Sequence, residues 1–275
     1  MKKIVVCTDF SANAKAAVNY ALSLAQFYGA ELMLVHSYMV PVPVSEIPPS
    51  IEMYEQIKKD SELQLERAKL ELEEKNKTGA TISTHLENEN LLIILEELNK
   101  KIKPDLFVLG TRGHRDFVDV LVGSNTMKVV NHLPAPVLIV PSAATFKPVK
   151  KIGFACDFDK VVETTPLDLL NKLVKDFDAE LHVINVDYKN KHFTPDTPEQ
   201  SMLLDHLLFK MKPRYHFLEG KNMAEITEVF VEKNQIDLLI TIPKKHSFFE
   251  KFFKGTHTRQ LVYHTNIPLL CIHEK

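Results

Sequence analysis

Glycine is scarce in this chain, with 8 among 275 residues, so any local cluster of it stands out. Cysteine is scarcer still: Cys7, Cys156 and Cys271 each lie within or beside an apolar run. An odd count at such positions excludes a disulfide framework and reads as buried thiols. The histidines are scattered, with no His/Cys pairing at metal-ligand spacing, so no metal site is expected. No apolar run approaches the ~20 residues of a membrane helix. Thr8-Asp9 also interrupt the apolar residues after Met1-Lys2-Lys3 too early for a signal peptide. Neither sign of charge dominates, with 34 Lys and Arg against 36 Asp and Glu, interspersed along both halves. No overall field therefore favours nucleic acid or an anionic membrane. The expectation is a cytoplasmic globular protein without nucleic-acid or membrane partners, long enough for one large domain or two of ~100–150 residues.

What is present is an alternation of apolar runs and helical patterns. Lys2 to Cys7 reads as a strand closed by Thr8-Asp9-Phe10-Ser11. Ser11 or Asn13 can cap a helix over Ala14–Phe27, which Gly29 ends. Glu31 to His36 is a second strand, and a strand-helix-strand unit this short favours a parallel sheet with a right-handed crossover. The proline-dense segment from Val40 to Ser50 excludes helix and reads as an extended excursion. An amphipathic helix over Ile51–Lys77, an exposed strand over Thr81–Leu86 and a helix over Asn88–Lys101 follow. Pro104-Asp105 introduce a strand, Leu106–Leu109, and the half closes on a strand at Pro136–Pro141. This order is that of a doubly wound α/β domain.

Past Ala143 the pattern restarts. Lys150 to Asp159 repeats Lys2 to Ser11 at an offset of 148, pairing Asp157 with Asp9. Ala179-Glu180 answers Ala30-Glu31, Ile236-Asp237 answers Pro104-Asp105, and Asn266 to Ile272 answers Ala135 to Val140. Four blocks in the same order make the chain two copies of one domain, residues 1–145 and 146–275.

The first copy holds the glycine cluster. Gly110 and Gly113 open a loop at a strand exit, and Gly123-Ser124-Asn125-Thr126 lead into a helical run. Glycine permits close backbone approach and positive φ, Ser, Asn and Thr cap helices, and converging N–H groups seat phosphate. A tight turn with an N-cap is the other reading of the same residues.

The spacing Gly-x2-Gly-x9-Gly-Ser from Gly110 to Ser124, with Thr8-Asp9-Phe10-Ser11 and the strand ending Leu34-Val35-His36, resembles the ATP-binding branch of the universal stress protein family. Over nearly its whole length the chain resembles a tandem member of that family. The resemblance implies two five-stranded parallel sheets with helices on both faces, paired through their last strands as an internal pseudo-dimer, with homodimerisation open. It implies ATP, ADP or AMP, with or without magnesium, across the carboxyl ends of the strands of residues 1–145. Asp9 would lie at the adenosine end or near a metal, Ser37 beside the base, and Leu109 and Gly110 along the ribose and phosphate path. Gly113, Gly123, Ser124 and Asn125 would hold phosphates, and Arg112, with the neighbouring Thr111, His114 and Arg115, could supplement the charge. Cys7 stands where ATP-binding relatives often have a small residue or proline.

In the second copy, aligning Gly255 with Gly123 puts Ile242 opposite Gly110 and Lys245 opposite Gly113, so that half is expected not to bind ATP in this way. Because the repeat dispenses with these glycines, a ligand rather than the fold is expected to explain them in the first copy. The leading function is nucleotide-dependent stress sensing or regulation; the alternatives are weak ATP hydrolysis and an interaction scaffold. No catalytic residue is assigned, since the loop lacks the Gly-Lys-Ser/Thr of a P-loop.

Overall fold

The computed structural model describes residues 1–40, 50–111, 124–156, 158, 160–188, 197–220, 223–242 and 267–273. Described residues up to Phe146 form one compact unit, and those from Lys147 onward form another. The proline-dense segment 41–49 and the glycine-loop residues 112–123 lie outside the described set.

The first unit runs β1 (Lys3–Cys7), α1 (Ala12–Tyr28), β2 (Glu31–Ser37), α2 (Ile51–Lys75), β3 (Ile82–Glu87), α3 (Leu91–Ile102), β4 (Leu106–Gly110), α4 (Ser124–His132) and β5 (Val137–Val140). Its strands lie in the order β3-β2-β1-β4-β5, each pair parallel. Ile4 to Cys7, Leu106 to Leu109 and Val137 to Val140 are buried throughout, as expected of parallel strands covered on both faces. β3, at the edge of this unit's strand order, is half-buried along its whole length rather than exposed as its alternating sequence suggests, because α2 packs against it.

Local chemistry sets the helix ends. The Ser11 hydroxyl accepts the Ala14 N–H at 3.2 Å, and Gly29 closes α1 in the left-handed region at φ 61°. Small buried residues, Ala14, Ala17, Ala21 and Ala25, let α1 lie close on the sheet. α2 stops at Lys75, two residues short of expectation, because Asn76 Nδ2 donates to Ala80 O while Asn76 Oδ1 accepts the Ala80 N–H. α3 starts later than expected because Asn90, rather than an earlier residue, caps it by accepting the Leu92 N–H at 3.0 Å.

The second unit runs β6 (Lys151–Ala155), α5 (Val161–Thr164), α6 (Leu167–Phe177), β7 (Glu180–Tyr188), α7 (Thr197–Leu208), a short 3-10 turn at Phe209–Met211, β8 (Arg214–Gly220), α8 (Met223–Asn234), β9 (Leu238–Thr241) and β10 (Leu269–Cys271). Its order, β10-β9-β6-β7-β8, is the same parallel topology.

The repeat extends to individual bonds. Asp105 Oδ2 accepts the N–H groups of Lys2 and Lys3 at 2.7 and 2.9 Å, and Asp237 Oδ2 accepts those of Lys150 and Lys151 at 2.8 and 3.0 Å. Each carboxylate thus staples the start of the central strand. Burial pushes the Asp237 carboxyl up, but Lys147 and these two N–H groups outweigh it and hold it below its usual value. Phe10 and Phe158 both take the left-handed conformation, φ 62° and 54°, at matching turns.

Candidate functional site

The carboxyl ends of β1, β2 and β4 meet the first turn of α4 around a cleft of about 140 Å³. Asp9, Ser37, Leu109, Gly110, Ser124 and Asn125 all line it. These residues are spread over more than a hundred positions of sequence, and the sheet order brings them together. Arg112, Gly113 and Gly123, the other residues expected to line it, lie outside the described residues, as do His114 and Arg115.

The β1–α1 turn is built by nested hydrogen bonds. Thr8 Oγ1 accepts the Phe10 N–H at 3.0 Å, and Asp9 Oδ1 accepts the Ser11 N–H at 3.0 Å. The Thr8 N–H donates to Val35 O at 2.9 Å, tying the turn to β2. His36 Nδ1 lies 2.8 Å from Thr8 O, so this nitrogen carries the proton, and the ring packs on Phe10 with centroids 4.4 Å apart. Burial lowers the His36 pKa against the raising influence of the Thr8 carbonyl and Asp9, which keeps the ring neutral at pH 7. Ser37 Oγ donates to Glu89 O, joining the end of β2 to the approach to α3.

Several lining residues lay outside the expected set: Ser11, Ala14, Leu91 and Thr126. Ser11 and Ala14 had a signal, since a cap and the first turn it supports sit at the strand exit. Leu91 had none, because only the fold carries the start of α3 to the cleft. Thr126 is buried, and its hydroxyl donates to Gly110 O at 3.4 Å, linking α4 to the end of β4. Cys7 also lines the cleft, and burial pushes its thiol up to about 12, so it is an inert wall. Thr111 is 2% exposed and lines the cleft, yet its hydroxyl has no hydrogen-bond partner among the described residues. A buried orphan hydroxyl is costly, which marks it as a group a ligand can satisfy.

Gly110 requires a correction. A Cβ there would stand 2.9 Å from the Asn13 carbonyl oxygen in the first turn of α1. This glycine is required by packing, independently of any ligand. Contrary to expectation the fold of the first unit itself needs this glycine, and the second unit meets its counterpart differently. Sheet register places Ile242 at the Gly110 position, where it is buried. There the helix begins only at Val161, after Lys160 in the left-handed region without a side-chain cap, and breaks at Thr165-Pro166.

The same register sets Cys156 at the Thr8 position and Val186 at the Ser37 position, both buried. The frame survives: Cys156 N–H donates to Ile184 O at 2.9 Å, and Asn185 Nδ2 donates to Cys156 O at 2.9 Å, repeating the Thr8–Val35 and His36–Thr8 bonds. What differs among the described residues is that the Thr8 and Ser37 hydroxyls give way to Cys156 and Val186; Asp157, Lys245 and Gly255 lie outside the described residues.

A family model described as the universal stress protein family matches residues 1–141, and the chain belongs to that family. It is 25% identical over 294 residues to universal stress protein Slr1230 of Synechocystis sp., covering 98% of this chain and 99% of that one. A Thermus aquaticus universal stress protein is 36% identical over 146 residues, covering 50% of this chain and 98% of its own. The crystal structure of an Archaeoglobus fulgidus universal stress protein superposes with a TM-score of 0.75 over 99% of this chain and 98% of that one, at 14% identity, a likeness of fold. Among the described residues, no helix is long and apolar enough to cross a membrane.

Proposed function

We propose that the first domain, residues 1–145, binds an adenine nucleotide, ATP, ADP or AMP, and that the chain is a cytoplasmic stress-response regulator read through occupancy of that cleft. The observation that carries this reading is the convergence of Asp9, Ser37, Leu109, Gly110, Ser124 and Asn125 on one cleft that also holds the orphan Thr111 hydroxyl. Clefts at the carboxyl ends of parallel strands are where such sheets take ligands. In this reading Ser37 flanks the base and Leu109 borders the ribose, and both line the cleft. The first turn of α4, at Ser124 and Asn125, turns backbone N–H groups and the positive end of the helix dipole to the phosphates. Asp9 is the one carboxylate among the described lining residues, and a single carboxylate with nucleotide phosphates is a common magnesium set.

The second domain, residues 146–275, serves as a partner without this nucleotide site. Cys156, Val186 and Ile242 present apolar groups where the first domain has Thr8, Ser37 and Gly110. Calorimetric titration with ATP and AMP, with and without magnesium, tests the proposal. One site per chain, with thermal stabilisation, is expected, and Gly113→Val should abolish it in a folded protein. Absence of heat and of stabilisation at millimolar nucleotide overturns the reading.

A further inference from the structure

A second hollow, of about 170 Å³, lies between α1 and α2 behind the β1–α1 turn. Its floor is apolar: Val18 and Leu72 are buried, Ala68 is half-buried, and the half-buried Phe10 closes one end. Its rim is cationic, with Lys15, Arg67 and Lys75 set against a single carboxylate, Glu71. Lys15 binds Glu71 at 2.6 Å and holds its carboxyl below the usual range, so that charge is already answered. Lys75 donates to Asn19 Oδ1 at 3.1 Å. Arg67 has no ion-pair or hydrogen-bond partner among the described residues, leaving its planar fork of donors free.

An apolar floor the size of a ring under an unanswered guanidinium specifies a ligand with both features. A cavity of ~150 Å³ holds a benzene molecule. A carboxylate suits Arg67 because the guanidinium can bind both its oxygens at once. We propose that this hollow is a binding site for a small monocarboxylic acid with a ring-sized apolar body, and that its occupancy strengthens nucleotide binding in the neighbouring cleft.

The coupling has a physical route. Thr8 lines both hollows. Its hydroxyl accepts the Phe10 N–H, and Phe10, with φ 62°, holds a left-handed conformation that bulky side chains rarely adopt. An acid packed against Phe10 favours the turn that also presents Thr8, Asp9 and Ser11 to the cleft. Each ligand then aids the other by the same factor. The coupling rests on the proposed nucleotide site; acid binding does not.

The test uses benzoate, with benzamide and acetate as probes lacking the charge or the ring, on the full chain. Without nucleotide, benzoate should bind at least tenfold more tightly than either. Arg67→Gln, an exposed change that leaves the fold intact, should weaken benzoate at least tenfold. No benzoate binding at millimolar concentration, equal binding of benzamide, or undiminished binding in Arg67→Gln overturns the site. If ATP binds, saturating benzoate should raise its affinity severalfold, and an unchanged ATP affinity overturns the coupling. If ATP does not bind while benzoate does, the nucleotide reading and the coupling fall and the acid site stands.

Discussion

The two units share a frame and differ in what they hang on it. Both staple the central strand with an aspartate, both turn out of it through a left-handed phenylalanine, and both tie that turn to the next strand by the same backbone bond. Among the described residues at the carboxyl ends of the strands, the first unit has Thr8, Ser37 and Gly110 lining its cleft, where the second has the buried Cys156, Val186 and Ile242. The lesson is that topology and ligand chemistry are separable within one chain. The bonds that build the sheet are retained, while the surface facing the strand ends has been rewritten.

The comparison can be broken most forcefully where each unit depends on its own solution. Ile242→Ala leaves a hole in the second unit and should cost about 3 kcal/mol, read as earlier unfolding in hydrogen exchange of β6 and β9. It should not create a nucleotide site, because Cys156 and Val186 remain. Asp237→Ala strips two strand N–H groups and Lys147 of their acceptor and should cost about 2–3 kcal/mol. Asp105→Ala, at a more exposed staple, should cost about half as much, and equal losses in the two would show that burial does not matter here.

Gly110→Ala drives a Cβ against the Asn13 carbonyl and should destabilise the first unit by about 2 kcal/mol. A neutral result in thermal unfolding would restore a ligand as the main reason for this glycine. Thr111→Val is smaller and opposite in sign. Removing a buried orphan hydroxyl should stabilise the free protein by about 1 kcal/mol while weakening nucleotide binding. Loss of stability together with unchanged binding would show that the hydroxyl is satisfied within the protein.

The smallest effect is a pH dependence peculiar to the second unit. His182 Nδ1 and His216 Nε2 lie 3.0 Å apart on adjacent strands, with Phe230 of α8 edge-on to His216 and Glu180, Arg214 and Lys151 the nearby charges. Burial lowers both pKa values; the neighbouring His182 and Arg214 lower that of His216 further, while Glu180 opposes the shift at His182. The unfolded chain therefore takes up protons below pH about 6.5 that the folded pair refuses. The pair's full stability is present above that pH and is lost as pH falls through the lowered folded values. His216→Gln should make this acid limb shallower, by up to about 1.4 kcal/mol per pH unit for each proton no longer withheld. An unchanged limb in denaturation at graded pH would move the titration to other groups, His36 among them.

Much of this was legible in the chain itself. Strand positions, the Ser11 cap, the Gly29 terminator and the repeated aspartate at Asp105 and Asp237 depend on bonds and spacings within a few residues, or on a pattern the chain states twice. The cleft residues Asp9, Ser37, Leu109, Gly110, Ser124 and Asn125 could also be named in advance, because the resemblance to universal stress proteins implies them. Missed were Leu91 in the cleft, the histidine pair on β7 and β8, and the hollow between α1 and α2, each created by elements distant in sequence. Sequence alone therefore determined the repeat, the parallel α/β order and the replacement of Gly110 and Gly113 by Ile242 and Lys245 in the second half. Only the tertiary structure decided what Gly110 is for. The distance from its missing Cβ to a helix nearly a hundred residues earlier depends on how closely α1 lies on the sheet, a distance that side-chain volumes throughout the first unit set together.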